Sequence, residues 1–112
     1  MINDVWVASN FLLREFECGD GSRQVVLHRE LLERLQGLRE ALGRPVIVNS
    51  GYRNPAYNAA VGGRPGSYHL RGMAADIRVP GLSSAVLAEA AREAGLRGVI
   101  VYATFVHVDV RP

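Results

Sequence analysis

The sequence has 112 residues, of which 48% are hydrophobic, and its formal net charge is +2 at pH 7. This length suffices for one hydrophobic core and leaves no room for a second, so we expect a single domain over residues 1–112. Because Cys18 is the single cysteine, an intrachain disulfide and a zinc site built from several thiolates are both excluded.

The composition also bears on location and partners. Residues 1–20 lack a basic start followed by an apolar run, and no stretch approaches the roughly 18 apolar residues of a membrane helix. We therefore expect no signal peptide and no membrane insertion. The protein would be made in the cytoplasm, and any action outside it would depend on a carrier, a phage particle or lysis. Its basic residues are all arginine and are scattered, so we expect no nucleic-acid partner.

The first half of the chain predicts a helix, a strand and a long loop. Leucines recur at helical spacing over residues 28–42, and Gly43 follows as a stop signal. His28 is expected to be a surface or capping residue. Residues 45–49 (PVIVN) predict a buried strand. Residues 50–69 are dense in glycine, proline, asparagine and serine, which predicts an irregular loop of the length that usually carries function.

The second half predicts two further strand regions around a helix. Residues 72–79 have the composition of a strand, and Ser83 is placed to cap a helix that runs to about Ala94. Residues 98–102 and 105–110 are two β runs that are separated by two residues, a spacing that predicts a hairpin. The predicted fold is therefore α+β, a small domain in which helices flank an antiparallel sheet.

Two histidines and one carboxylate stand out as a candidate metal site. His69 ends the loop, Asp76 lies on the next strand and His107 lies on the last strand. Alternation along that strand places Phe105, His107 and Asp109 on one face and the intervening valines on the other, which would be core. This set suits Zn²⁺ with a fourth position left for water. The residues alone also allow a buried, hydrogen-bonded histidine and an aspartate that merely caps a turn.

The motifs around these residues resemble those of peptidase family M15. Residues 67–76 (SYHLRGMAAD) resemble the family signature S-x-H-x-x-G-x-A-x-D, and residues 105–109 (FVHVD) resemble the second histidine motif of one branch. Residues 50–63 and 10–18 are similar to the family's approach to the first ligand and to its N-terminal segment. The resemblance implies a fold like that of the hedgehog and D-Ala-D-Ala peptidases. It also implies zinc-dependent hydrolysis of peptide bonds in bacterial peptidoglycan.

Carried over position by position, the resemblance implies specific roles. It makes His69, Asp76 and His107 the zinc ligands. It makes Arg53 a substrate-binding and catalytic residue that contacts the substrate carbonyl, where a guanidinium can stabilise an oxyanion. The alternative for Arg53 is a surface arginine that braces the loop. Ser67 is expected either to hydrogen-bond the substrate or to serve as a turn residue.

The general base is where this chain departs from the family. Relatives have an acidic residue three positions before the last histidine ligand or a histidine two before it, but Thr104 and Phe105 occupy those positions here. Asp109 is the nearest carboxylate in sequence, and we predict it as the base. Its alternative role is to fix the tautomer of a histidine.

The resemblance leaves two functions open. The first is a metallopeptidase that acts as a D-Ala-D-Ala carboxypeptidase or as an endolysin-like endopeptidase in cell wall degradation, with stem peptides or cross-bridges as substrates. The second is a non-catalytic zinc module of the same fold that binds a wall peptide or a protein. The bond that would be cut is left open by the sequence, and a monomer is expected.

Overall fold

The computed structural model describes residues 2–112. Its elements in chain order are β1 Trp6–Ala8, β2 Phe11–Leu12, a first 3₁₀ helix Leu13–Phe16, α1 Arg29–Leu42, β3 Ile47–Ser50, α2 Pro55–Ala60, a second 3₁₀ helix Tyr68–Arg71, β4 Ala74–Arg78, α3 Ser84–Glu93, β5 Gly98–Val101 and β6 Val106–Asp109. Strands β3 to β6 form an antiparallel sheet, with helices packed against it. The predicted α+β fold is confirmed.

Helix α1 buries the leucine face that the sequence predicts. The buried leucines are Leu31, Leu35 and Leu38. His28 caps the helix, because its Nδ1 accepts a hydrogen bond from the backbone N–H of Glu30 at 3.2 Å, which confirms the capping prediction. The helix ends at Leu42, and Gly43 follows it in the left-handed conformation with φ of 62°.

Helix α3 also begins where the sequence places it. The hydroxyl oxygen of Ser83 accepts from the backbone N–H of Val86 at 3.2 Å, which is the predicted cap. Leu87, Ala88 and Ala91 form its buried face. Among the helices of residues 2–112, none combines the length and the apolar character that crossing a membrane requires.

The sheet has the order β3-β4-β6-β5, and its register separates core from site. Ile77 lies opposite Val106, and both are completely buried on the face that is covered by helices. Asp76 lies opposite His107, which in turn lies opposite Ile100, on the other face. The hairpin between β5 and β6 is confirmed, and the backbone N–H of Tyr102 donates to the carbonyl of Phe105 at 3.0 Å across its turn.

The predicted irregular loop over residues 50–69 was wrong in two stretches, where α2 and the second 3₁₀ helix form. Asn54 caps α2 by accepting a hydrogen bond from the backbone N–H of Tyr57 at 2.8 Å. Pro55 is the first residue of the helix, and its ring already fixes φ at a helical value. The local capping chemistry therefore outweighs the overall loop composition.

The N-terminal segment forms a small unit for which the sequence predicts no element. Strands β1 and β2 pair with each other, and the first 3₁₀ helix follows. Phe11 and Phe16 are both buried, with ring centroids 5.7 Å apart. This aromatic pair closes one side of the core.

We predict that Leu35→Ala lowers the free energy of unfolding by about 2–5 kcal/mol, because it removes a fully buried side chain and leaves a cavity. Val86→Ala in α3 is the control, since 53% of Val86 is exposed, and it should change that free energy by less than about 0.5 kcal/mol. Denaturant unfolding measures both. Equal losses in the two variants would contradict the assigned core.

Candidate metal centre

Three side chains from three elements converge on the open face of the sheet. Asp76 and His107 face each other across β4 and β6, and His69 comes from the second 3₁₀ helix. The Oδ1 of Asp76 lies 3.2 Å from the Nε2 of His69 and 3.1 Å from the Nδ1 of His107. One potential ligand atom from each residue lies within 4.8 Å of the other two. The structure thus brings together all three predicted metal ligands.

The outer nitrogen of each imidazole has a partner that determines its tautomer. The Nδ1 of His69 lies 2.7 Å from the backbone carbonyl of Gly51, which can only accept, so this nitrogen carries the proton. The Nε2 of His107 lies 2.7 Å from the Oδ2 of Asp109. Burial would raise the pKa of Asp109, but hydrogen bonds from Arg111 and His107 lower it to about 2, so this carboxylate also only accepts. With the outer nitrogen of each ring protonated, the inner nitrogen carries the lone pair in the neutral form and faces Asp76.

This convergence is the test of whether the residues fit a metal ion. Two imidazole lone pairs and one carboxylate oxygen point at the same region, where they repel one another unless a cation lies between them. Two nitrogens and one oxygen are a ligand set that zinc takes in sites with a fourth, open position. The donor chemistry therefore fits zinc.

A proton is the competing cation. Burial lowers the pKa of His107, but its hydrogen bonds to Asp76 and Asp109 raise it by more, and the net shift is upward. For Asp76 the opposing effects have the other sign. Burial raises the pKa of its carboxyl group, but the hydrogen bonds to His107 and His69 lower that pKa by more, so the group is ionised. A metal ion must displace the proton from His107, and its binding should weaken as the pH falls below the pKa of that imidazole.

Arg53 lies beside this cluster and is held by three side chains. Its Nη2 donates to the Oδ2 of Asp76 at 3.1 Å, its Nε to the hydroxyl of Ser50 at 3.1 Å and its Nη1 to the Oδ1 of Asn58 at 3.3 Å. Its backbone N–H donates to the carbonyl of His69 at 3.1 Å. These contacts brace the loop, as one interpretation of the sequence expects, and they also fix the guanidinium next to the candidate ligands.

A cleft of about 590 Å³ opens over the cluster. Its floor contains the three candidate ligands and Arg53, and further lining residues are Val61, Arg64, Ser67, Tyr68, Ile100, Tyr102, Phe105 and Arg111. Ser67 caps the second 3₁₀ helix, because its hydroxyl oxygen accepts from the backbone N–H of His69 at 3.2 Å. Its position agrees with the turn role and leaves its hydroxyl proton available to the cleft. Among the described residues, Asp76 is the one carboxylate that lines this cleft.

Asp109 lies behind His107 and does not line the cleft. Its side chain is completely buried, and Arg111 donates to it from the backbone at 3.1 Å, from Nε at 2.7 Å and from Nη2 at 2.6 Å. Because the Nε2 of His107 also lies against Oδ2, both carboxylate oxygens of Asp109 have hydrogen-bond partners. This is the geometry of the alternative role in which Asp109 fixes a histidine tautomer.

Several site residues were not found from the sequence. Arg111 could have been found, because residues two apart on a strand share a face and Asp109 precedes it by two. Gly98 and Asn58 carried no such signal. A Cβ on Gly98 would lie 2.2 Å from the Oδ1 of Asp109, so the buried carboxylate requires a glycine there. The Gly51 carbonyl is a backbone group and has no side-chain pattern to reveal it.

Comparison with known proteins supplies the family context. The family model described as Peptidase M15 matches residues 8–109. The zinc D-Ala-D-Ala carboxypeptidase of Streptomyces albus G is 38% identical over 68 residues, which cover 60% of this chain and 27% of that relative. The matched region thus spans about a quarter of the relative's length.

We predict that Gly98→Ala destabilises the fold by roughly 1–3 kcal/mol and weakens metal binding, because the added methyl group would displace Asp109 from His107. Gly37→Ala is the matched control. Gly37 is an exposed residue of α1 with open space around its Cβ position, so this change should stabilise by about 0.5–1 kcal/mol. Denaturant unfolding measures both, and a stabilised Gly98→Ala protein would contradict the assigned packing.

Proposed function

The chain belongs to peptidase family M15, and on that premise we propose that it is a zinc-dependent peptidase that hydrolyses peptide bonds in bacterial peptidoglycan, in a stem peptide or a cross-bridge. The observation that carries the proposal is the convergence of three lone pairs at the floor of a cleft. The relative from Streptomyces albus G is named for zinc and for D-Ala-D-Ala carboxypeptidase activity, which supports the same metal and a wall peptide as substrate here.

In this proposal the ligand atoms are the Nε2 of His69, the Oδ1 of Asp76 and the Nδ1 of His107. When bound, zinc would act as a Lewis acid on a peptide carbonyl and would lower the pKa of water. The chain's own contribution is orientation. The Gly51 carbonyl and the Asp109 carboxylate hold the two imidazoles in the tautomers that leave the ligand lone pairs exposed.

Arg53 would stabilise the oxyanion that develops on the scissile carbonyl. A guanidinium has five N–H donors, and the contacts to Ser50, Asn58 and Asp76 use three of them. Two donors remain for a substrate in the cleft. Because the three contacts already fix its orientation, the bracing of the loop and the catalytic role support each other. Ser67 lies on the same wall and is proposed to hydrogen-bond the peptide.

Asp109 is proposed as a positioning residue that acts through His107, and not as the general base. Its two oxygens are engaged by Arg111 and His107, and it is buried outside the cleft. The proton released by the attacking water would then pass to bulk solvent or to another group in the complex with substrate. Because Asp76 is the one carboxylate in the described cleft, a second candidate function is a zinc module that binds wall peptides without cutting them.

The experiment that tests this function is digestion of purified peptidoglycan by the zinc-loaded protein, followed by mass spectrometry of the released fragments. We expect fragments whose masses identify the bond that is cut, and we expect none from a His69→Ala variant, which lacks a proposed ligand. Zinc content is measured on the same samples. Full zinc occupancy with binding to peptidoglycan but no fragments would reject the peptidase and favour the binding module.

We predict that Asp109→Asn lowers zinc affinity about 10- to 100-fold, because the amide gives His107 a weaker acceptor and places an N–H group against Arg111. Activity should fall with zinc occupancy and should recover in excess zinc. Competition with a chelator measures the affinity, and Asp4→Asn, which removes an exposed carboxylate paired with Arg14, is the control. A general base would behave differently, with kcat lowered roughly 100-fold or more at full zinc occupancy.

A further inference from the structure

Three arginines line the cleft, and they differ in their partners. Arg53 pairs with Asp76 at 3.1 Å, and Arg111 pairs with Asp109 at 2.6 Å. Arg64 is exposed in the same lining, and no carboxylate of residues 2–112 lies within 4.0 Å of its guanidinium. Arg64 is therefore the cleft arginine whose charge is not neutralised by the protein.

The backbone that carries Arg64 is firmly held. Its carbonyl accepts from the Nδ2 of Asn58 at 2.9 Å and from the backbone N–H of Ser67 at 3.0 Å. Asn58 is itself buried, with 3% of its surface exposed. Gly63 permits this contact, because a Cβ there would lie 2.0 Å from the Oδ1 of Asn58. The loop thus presents the Arg64 side chain at the cleft from an anchored position.

The charge balance of the cleft favours an anionic ligand. Asp76 is the one carboxylate in the described lining, and it already pairs with Arg53, whereas a metal ion on the cluster would add further positive charge. Such a cleft raises the local concentration of anions. A guanidinium also offers paired N–H donors that match the two oxygens of a carboxylate.

We propose that Arg64 binds a carboxylate of the substrate peptide away from the scissile carbonyl, so that the protein selects acidic peptides over their amidated forms. This inference rests on the proposed function and adds a specificity determinant to it. The carboxylate has two possible sources in a wall peptide, the C-terminus and the free carboxylate of D-Glu. Both have the same chemistry, and the experiment separates them.

The probe is a synthetic stem peptide, L-Ala-D-Glu-L-Lys-D-Ala-D-Ala, in three forms: unmodified, amidated at the C-terminus and amidated at D-Glu. We expect the zinc-loaded protein to cleave one amidated form with a kcat/KM about tenfold lower than that of the unmodified peptide. The difference should lie mainly in KM, because the contact is remote from the reacting atoms. The form that loses efficiency identifies the carboxylate.

Arg64→Gln should remove this preference, because it keeps a hydrogen-bonding side chain but loses the charge, while Arg64→Lys should retain part of it. Arg29→Gln is the matched control. Arg29 is exposed at the start of α1, outside the cleft, and has no carboxylate within 4.0 Å in the described chain. It loses the same charge and should keep the wild-type preference. Zinc content should be unchanged in all three variants.

The possible failures are distinguishable. If the wild-type protein prefers the unmodified peptide and Arg64→Gln keeps the same preference, or if all three forms are cleaved equally, the Arg64 proposal is overturned while the peptidase stands. If the zinc-loaded protein cleaves none of the three peptides, the proposed peptidase function is rejected for this probe. Binding affinities for the same peptides, measured by calorimetry, then test the proposed role of Arg64. Equal affinities in the wild-type protein and in Arg64→Gln would overturn that role.

Discussion

The antiparallel register of β4 and β6 places Asp76 directly opposite His107. The same register pairs Ile77 with Val106 on the reverse face, where both are completely buried. A slip by one residue would turn these apolar side chains toward the cleft and the carboxylate and imidazole into the core. The hydrophobic core therefore enforces the geometry of the site, because the buried Ile77–Val106 pair on one face specifies the Asp76–His107 pair on the other.

The outer partners of the histidines depend on close backbone approaches that only glycine allows. A Cβ on Gly51 would lie 2.7 Å from the Cα of Phe16, so the carbonyl that orients His69 rests against the N-terminal segment. The backbone N–H of Tyr52 donates to the carbonyl of Phe16 at 2.9 Å in the same contact. The N-terminal segment thus supports one histidine, while Gly98 makes room for the carboxylate that supports the other.

Much of this arrangement could be predicted from local patterns, and the remainder depends on register. Leucine spacing and caps predicted α1 and α3, and the motifs around His69 and His107 predicted which three side chains would meet. Alternation correctly put Asp109 on the face of His107, but its environment depends on its neighbours across the sheet. Those neighbours are Ala74 and Gly98, whose small size leaves Asp109 space to lie buried beneath Arg111. No pattern within one strand encodes that pairing.

Asp76 links the two histidines to Arg53, because its oxygens face different groups. Oδ1 faces the histidines, and Oδ2 accepts from Arg53. A substitution at Arg53 would therefore remove a positive charge and a hydrogen bond from a proposed metal ligand, and a substitution at Asp76 would release the guanidinium. Their effects on activity should not add, since residues that share a contact are coupled. A double-mutant cycle between them, with metal affinity and kcat/KM measured separately, is the way to divide the proposed oxyanion role from the proposed ligand role.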